Sequence, residues 1–309
     1  MYFCEYLKKI KFNRVALYVL FILLAMNLAC SQKTTTRHDS IKKSPSSPDK
    51  TPSSSLFKPL NKKKKLGTDS EKFIVLGDEL FLKGDFDSAS IKYNLALKAN
   101  PSSVDACIRL GDIYLRKGEY KKSGEFFKKA IDIEPENKFA RFGYADILLE
   151  MGEKEDSEWQ LRQVISFDPK FAQAYTSLGD IYLDSGKQNK AGEMFRKSLE
   201  IMPDQNFPDT YIGMGELNLA RLKYQEALES FNTAKKKDPY DIDGYLGAAR
   251  ALTALKRYED AKRNYKKALE IFPDHREACE MLVEFYKDRG MHDKAKKLRD
   301  KLPVPDLQP

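Results

Sequence analysis

The sequence is organised by prolines that recur at nearly constant intervals along the chain. They are Pro101, Pro135, Pro169, Pro203, Pro239 and Pro273, so the steps between them are 34, 34, 34, 36 and 34 residues. A step of 34 residues held this closely indicates an array of helical hairpins, in which each unit contacts only its neighbours. The period therefore predicts one continuous solenoid over most of the chain.

The stretch 172–205 shows the pattern within one period. It reads as two amphipathic helices, separated at Ser185-Gly186-Lys187 and stopped at Pro203. Gly179 and Ala191 are small, and we expect them to let the paired helices approach closely. The apolar and small residues recur three or four positions apart, and they are Tyr175, Leu178, Gly179 and Tyr182, followed by Ala191, Phe195 and Ser198.

This unit resembles the tetratricopeptide repeat, whose pattern is W-x2-L-G-x2-Y, then A-x3-F and a closing proline. Leu178, Gly179 and Tyr182 match its first helix, and Tyr175 stands where the pattern has Trp. The resemblance implies an all-α fold, a right-handed superhelical solenoid of about seven helix-turn-helix hairpins. The seven units are residues 70–103, 104–137, 138–171, 172–205, 208–241, 242–275 and 276–302.

Some units depart from the pattern. Arg141 takes the place of the large aromatic residue in the third unit, and Arg299 replaces the core aromatic of the truncated seventh. The fifth and sixth units carry Arg221-Leu222-Lys223 and Lys256-Arg257 between their helices, so we expect those turns to be less tightly defined. The other five units have a glycine there, which adopts a left-handed backbone most easily: Gly84, Gly118, Gly152, Gly186 and Gly290.

The formal net charge of +8 is distributed unevenly. Residues 1–30 carry +3 and residues 31–68 carry +8, whereas residues 69–309 carry 40 Lys and Arg against 43 Asp and Glu. The part of the chain that we expect to fold is therefore mildly acidic. Nucleic-acid binding needs a basic folded surface, so this distribution disfavours nucleic acid as a partner.

Residues 1–29 have the layout of an export signal, with a basic region followed by an apolar run over residues 15–26. The run is shorter than the roughly 20 residues that span a bilayer as a helix. The small residue Ala29 before Cys30 resembles a bacterial lipoprotein signal. That resemblance implies lipidation of Cys30 and a position on the periplasmic side of the envelope. An uncleaved anchor and an ordinary secreted signal remain alternatives, and all three place the folded part outside the cytoplasm.

Residues 30–68 join this lipidation site to the first unit, and residues 303–309 form a short tail. The joining segment is rich in Ser, Thr, Pro and Lys and has few apolar residues, so it cannot bury enough surface to offset its chain entropy. We interpret it as a disordered tether. The run Lys62–Lys65 belongs to that solvated tether, with contact to anionic lipid head groups as the alternative.

The resemblance also implies where a ligand binds, because in this family the first helix of each pair lines a concave groove. The ninth residue of each unit is expected to point into that groove: Asp78, Asp112, Asp146, Asp180, Glu216, Arg250 and Glu284. Beside them, the fifth residues are expected to offer further contacts: Ile74, Ile108, Phe142, Thr176, Ile212 and Leu246. Such a groove suits a protein or peptide partner with a basic segment.

The acidic positions have two other interpretations. A carboxylate at the ninth position is also common on a solvated helix, so an ordinary exposed face remains an alternative. Repeat domains that bind the C-terminal carboxylates of chaperones use Lys, Asn and Arg in this groove, and the acidic residues here disfavour that role.

Groups that carry catalysis or bind metal are not apparent. His38, His275 and His292 do not stand at metal-ligand spacing, and nucleophile-elbow and phosphate-binding motifs are missing. The units of Cys107 and Cys279 lie five repeats apart, which is too far for a disulfide. We interpret Trp159 as a packing residue. The sequence therefore predicts no enzyme activity, no cofactor and no metal.

These features together predict a membrane-anchored scaffold or adaptor that binds partner proteins or peptides during assembly of envelope complexes. Within that class, a pilotin-like factor for secretin assembly and an adaptor for a periplasmic protease fit equally. A structural envelope component, wall-associated or self-oligomerising, is the alternative from another class.

Overall fold

The computed structural model describes residues 67–202 and 207–300. The export signal, Cys30, most of the tether, Pro203 and the tail lie outside these ranges. Over the described residues the chain forms helices and no strands. The helices are α1 (Asp69–Leu82), α2 (Phe86–Ala99), α3 (Val104–Arg116), α4 (Tyr120–Ile133), α5 (Lys138–Glu150), α6 (Lys154–Phe167), α7 (Ala172–Asp184), α8 (Gln188–Ile201), α9 (Pro208–Ala220), α10 (Tyr224–Lys237), α11 (Ile242–Ala254), α12 (Tyr258–Ile271), α13 (Arg276–Asp288) and α14 (His292–Arg299).

The helices pack as seven consecutive hairpins, α1 with α2 through to α13 with α14. The second helix of each hairpin also packs against the first helix of the next, so neighbouring hairpins share one apolar core. No hairpin could bury its apolar face alone, and stacking provides the cover. This architecture confirms the continuous helical array that the 34-residue period predicts and the all-α superhelical solenoid that the resemblance implies.

In several hairpins a large ring from the second helix fixes how closely the first helices approach. Phe195 of α8 is fully buried, and its ring lies between Gly179 of α7 and Gly213 of α9. A Cβ built on Gly179 would lie 2.4 Å from that ring, and one on Gly213 would lie 2.5 Å from it. The prediction that Gly179 is small because of a close approach is therefore confirmed, and the second glycine gives the same clearance to the next hairpin.

The turns inside the hairpins share one conformation, including the two without glycine. Leu222 and Lys256 both have φ of 61°, close to the 72° of Gly186. The residue that follows each then donates to a carbonyl of the first helix, as in the 2.8 Å bond from Arg257 N to Leu252 O. The expectation of less tightly defined turns in the fifth and sixth units was wrong, because this hydrogen bond holds a non-glycine residue in the left-handed region.

The two ends of the array differ from its middle. Leu76 occupies the position of the buried Leu110 and Leu178, yet it is 44% exposed because α1 is the first helix of the described stack. At the other end α14 has 8 residues, and Ala295 is its buried contact. None of the helices in the described ranges is long and apolar enough to cross a membrane.

Candidate functional site

The ninth residues of successive hairpins lie side by side on the first helices. Arg250 of α11 shows this alignment directly, because its Nη1 lies 2.8 and 2.9 Å from the two carboxylate oxygens of Glu216 on α9. We call this series the ninth-position row: Asp78, Asp112, Asp146, Asp180, Glu216, Arg250 and Glu284. Its members share a register, but they differ widely in burial and partners.

At the first position the carboxylate is buried and neutralised within the fold. Asp78 is 3% exposed, and its Oδ1 accepts from Arg109 Nε at 2.7 Å and from the Tyr93 hydroxyl at 2.8 Å. Arg109 is itself buried and comes from the next hairpin. Burial, together with the Asp78 charge, raises the pKa of Tyr93, so this residue stays a hydroxyl donor. Asp78 is therefore not available to a ligand, contrary to the sequence-based expectation.

The second position is also buried, but its hydrogen bonding is incomplete. Asp112 is 4% exposed, and Arg116 Nε lies 3.3 Å from its Oδ2. The other oxygen, Oδ1, is buried without a hydrogen-bond partner. Burial raises the pKa of Asp112, with Arg116 opposing that shift. The Arg116 guanidinium also lies over the Phe81 ring, 4.8 Å from its centroid, which holds this cation close to the first hairpin.

The middle and end of the row are more accessible. Asp146 is half-buried and Asp180 is exposed. Glu216 is half-exposed in its ion pair with Arg250, and Glu284 lies at the surface with Lys287 Nζ at 3.4 Å. The row is thus buried at its start, at Asp78 and Asp112, and accessible from Asp146 onward. We call Asp146, Asp180 and Glu216 its acidic surface part, in which Glu216 is paired with Arg250.

The fifth residues belong to the core rather than to a binding surface. Ile74, Ile108, Phe142 and Leu246 are each at most 5% exposed, and Ile212 packs against the same core. Thr176 is also buried and is hydrogen-bonded to Ser198 at 2.9 Å and to Thr210 at 2.7 Å. The expectation that these side chains line the groove was wrong, because the fifth residue faces the paired second helix.

Trp159, Arg141 and His275, which the sequence singled out, make local structural contacts. Trp159 is 52% exposed, and Arg141 lies over its ring at 5.6 Å from the centroid, so the indole packs on one side only. His275 caps α13, because its Nδ1 accepts from the backbone N–H of Ala278 at 3.1 Å. This role has a sequence signature, since a side chain that can accept directly precedes the helix.

Cys107 and Cys279 are buried free thiols. Burial raises the pKa of both, which keeps them in the unreactive protonated form. Across residues 67–202 and 207–300, no group of three His, Cys, Asp or Glu side chains is placed to hold a metal ion. The predicted lipidation site, Cys30, lies outside the described residues.

Comparisons with known proteins identify repeats of one family along the chain. Models of the tetratricopeptide repeat match residues 104–137, 172–205 and 252–308. A curated relative, the CTR9 homolog of Arabidopsis thaliana, is 28% identical over 100 residues, which are 32% of this chain and 9% of that protein. The chain therefore matches about a tenth of the length of that relative.

Solved structures share the fold. A tetratricopeptide repeat protein from Parabacteroides merdae aligns with a TM-score of 0.60 at 20% identity, covering 78% of this chain and 95% of that one. PilW, described as a widely conserved type IV pilus biogenesis factor, aligns with a TM-score of 0.60 at 19% identity, covering 70% of this chain and 100% of its own.

Proposed function

Because the chain is a tetratricopeptide repeat protein, we propose that it is a scaffold that binds a basic segment of a partner protein along its first helices. The single observation that carries this proposal is the acidic surface part of the ninth-position row, from Asp146 to Glu216. It places carboxylates on three adjacent hairpins at one face of the array. Helices pack about 8–10 Å apart, so the fields of these carboxylates overlap within one screening length at physiological salt.

The fold supports a role in protein–protein interaction, since stacked hairpins form an extended surface and members of this family are generally scaffolds without catalytic activity. The burial of Asp78 and Asp112 restricts the accessible part of the row to the third and later hairpins. A bound basic segment would therefore span the third to fifth hairpins. Along the chain this is the length of three repeats.

The location that we propose is the periplasmic side of a bacterial envelope, with a lipid on Cys30 holding the scaffold at a membrane. The tether of residues 30–68 would then raise the local concentration of the scaffold near membrane partners. Metabolic labelling with a fatty-acid probe tests this part, and Cys30→Ser should remove the label. An unlabelled wild-type chain would refute the lipid anchor.

A narrower version of the proposal is a pilotin-like role in assembly of a pilus secretin, and the fold shared with PilW, a type IV pilus biogenesis factor, is compatible with it. Crosslinking in intact cells, followed by mass spectrometry of what attaches near Asp180, would identify the partner. A secretin would support the narrower version, and an envelope protease would support the adaptor version. Recovery of wall polymer or of further copies of this chain alone would support a structural envelope component instead.

The acidic surface is tested by Asp146→Asn combined with Asp180→Asn. We expect the pair to weaken partner capture at least tenfold, because each charge-assisted hydrogen bond contributes about 1.5 kcal/mol or more. The matched control is Asp132→Asn with Glu155→Gln, which removes the same charge from exposed positions on α4 and α6. Circular dichroism and melting establish that both variants are folded. Equal capture by the two variants would refute the acidic surface as the binding site.

A further inference from the structure

The interface between consecutive hairpins repeats the same contacts along the array. The tenth residue of a unit packs against the twenty-first residue of the unit before it, which lies on the second helix. A Cβ built on Gly192 would lie 3.1 Å from the side chain of Leu217, and one on Gly124 would lie 3.7 Å from Ile147. The Cβ on Gly124 would also lie 3.6 Å from Tyr144, the seventh residue of its unit. The seventh and tenth residues therefore meet the preceding hairpin at one place.

Closer to the turns, the fourteenth residue of a unit contacts the start of the preceding second helix. Arg221 Nη2 donates to the carbonyl oxygen of Gln188, the seventeenth residue of its unit, at 2.9 Å. Lys117 forms an ion pair with Asp87, the eighteenth residue of the first unit. These interfaces are therefore specified by a small set of positions, which are 7, 10 and 14 on the later hairpin and 17, 18 and 21 on the earlier one.

The first hairpin presents the later half of this set at the end of the array. Its seventh, tenth and fourteenth residues are Leu76, Glu79 and Lys83. Leu76 is 44% exposed, whereas Leu110 at the same position of the second unit is fully buried. At the tenth position the second unit buries Ile113, and the first unit has a charged residue there instead. Among the described residues no hairpin precedes this one, so these positions are not covered as they are inside the array.

The last hairpin presents the earlier half of the set. Its eighteenth and twenty-first residues are Asp293 and Lys296, and both are exposed on α14. The helices at the two ends also carry opposite charge. α1 has four acidic side chains and one lysine, whereas α14 has four basic side chains and one aspartate. The two ends are therefore complementary in charge and in the positions that they present.

We propose that the last hairpin of one copy of this chain packs against the first hairpin of another copy, in the arrangement that consecutive hairpins have within one chain. In this contact Lys83 of one copy would meet Asp293 of the other. These two residues match Lys117 and Asp87 in type and in position, and that pair joins the first two hairpins. The ion pair between copies thus repeats one that the chain already forms within itself.

Lys296 would supply the rest of the contact. The stem of a lysine covers apolar surface while its ammonium group stays in water. From the twenty-first position the Lys296 stem would cover the exposed Leu76, and its ammonium group would lie beside Glu79. Lys262 occupies this position in the sixth unit with its side chain 23% exposed, so an interface inside the array already accepts a lysine there.

This contact goes beyond the proposed function and does not depend on it, because none of its residues belongs to the acidic surface part. The two surfaces differ, so the contact is head-to-tail and can add copies in series. Since α14 has 8 residues and the other second helices have 14, the contact is smaller than an interface within the chain, and we expect it to be weak. Successive copies would repeat the acidic surface part along one continuous array.

Sedimentation velocity of the full-length chain over a range of concentrations tests the contact, with detergent present to cover the apolar run of residues 15–26. We expect reversible association that grows beyond dimers. Leu76→Gln should weaken it about tenfold, because it removes most of the apolar area that the contact buries. The matched control is Ile91→Gln, which removes another exposed apolar side chain, from α2 at a position outside the contact. Circular dichroism and melting establish that both variants are folded.

Charge reversal tests the ion pair separately. Lys83→Glu and Asp293→Lys should each weaken association at least about threefold, because a like-charge pair replaces an exposed ion pair. An equimolar mixture of the two variants should associate as the wild type does, since every contact between unlike copies again joins opposite charges. Recovery on mixing is specific to a head-to-tail contact that joins these two positions.

Three results in solution would overturn the proposal: a chain that stays monomeric up to about 1 mM, equal association of Leu76→Gln and Ile91→Gln, or no recovery in the mixture of charge variants. A photo-crosslinking residue in place of Leu76 identifies what covers the first hairpin in intact cells. Crosslinks to α14 of another copy would support the proposal, whereas crosslinks to a different protein alone would refute it and indicate that a partner docks there. Capture through Asp146 and Asp180 is measured separately, so failure of this contact leaves the proposed function standing.

Discussion

Two ion pairs in the ninth-position row have nearly the same geometry but opposite surroundings. Arg109 Nε lies 2.7 Å from Asp78 with both side chains almost fully buried. Arg250 Nη1 lies 2.8 Å from Glu216, and the two side chains are 43% and 32% exposed. Removing one partner of a buried pair leaves a charge that water cannot solvate, whereas an exposed charge is hydrated again at once. The two pairs should therefore differ in what their loss costs.

We predict that Arg109→Leu lowers the free energy of unfolding by about 3 kcal/mol, because the Asp78 carboxylate stays buried without its guanidinium. The same change at the exposed pair, Arg250→Leu, should cost less than about 1 kcal/mol. Urea unfolding followed by circular dichroism measures both. Similar losses in the two variants would show that burial does not distinguish these pairs.

The repeat spacing and the family resemblance together located the ninth-position row, but they did not predict which members are buried. Spacing fixes the angle at which a residue leaves its helix, and that is why all seven positions share a register. Burial depends on what neighbouring hairpins place around each residue. For Asp78 these neighbours are Tyr93 and Arg109, and their contact with it follows only once the hairpins are stacked. The fifth residues were wrongly expected to line the groove for the same reason, because their burial also depends on how the hairpins stack.

At the scale of the element, the turn inside each hairpin is set by hydrogen bonds more than by residue type. Leu222 holds φ of 61° and is 70% exposed, so its side chain gains little from packing. The residue after it, Lys223, donates to Asn218 O at 2.8 Å, much as Lys187 donates to Tyr182 O at 2.7 Å after Gly186. The left-handed conformation is therefore imposed on a leucine that disfavours it by about 1 kcal/mol or more.

We predict that Leu222→Gly raises the free energy of unfolding by about 0.5 kcal/mol, since relief of this strain exceeds the extra entropy of glycine in the unfolded chain. The converse change, Gly186→Ala, should lower it by about 1 kcal/mol. A Cβ at Gly186 has no atom within 4 Å, so this variant reports strain without a clash. Thermal melting of both variants checks the signs. If the Leu222→Gly variant is less stable than the wild type, the leucine side chain stabilises the fold despite its exposure.

For the whole array, we call the interface between consecutive hairpins a joint. The fourth joint, between the fourth and fifth hairpins, differs from all the others. Three positions meet at each joint: the fifth residue of a unit, the buried residue near the end of its second helix, and the third residue of the next unit. At the second joint these are Ile108, Ala130 and Ala140, all apolar. At the fourth joint they are Thr176, Ser198 and Thr210, whose hydroxyls bond one another at 2.7–3.1 Å. The same joint carries the 36-residue step.

A joint held by hydroxyls should couple its neighbours less strongly than an apolar joint, because a buried hydrogen bond contributes little beyond what water offers the separated groups. In a linear array, stability is the sum of hairpin and joint contributions, so the weakest joint is where cooperative unfolding divides. We predict that hydrogen exchange will show residues 69–201 and residues 208–299 opening as two separate units. Exchange measured over a range of urea concentrations would resolve them.

The isosteric triple variant Thr176→Val, Ser198→Ala and Thr210→Val tests the cause. It should keep or raise stability and merge the two units into one transition, because apolar groups replace all three hydroxyls together. The single variant Thr210→Val is the matched control, and it should lose about 1–3 kcal/mol by leaving a buried hydroxyl with an incomplete set of partners. If the triple variant still opens in two units, the inserted residues of the 36-residue step, rather than the hydroxyls, divide the array.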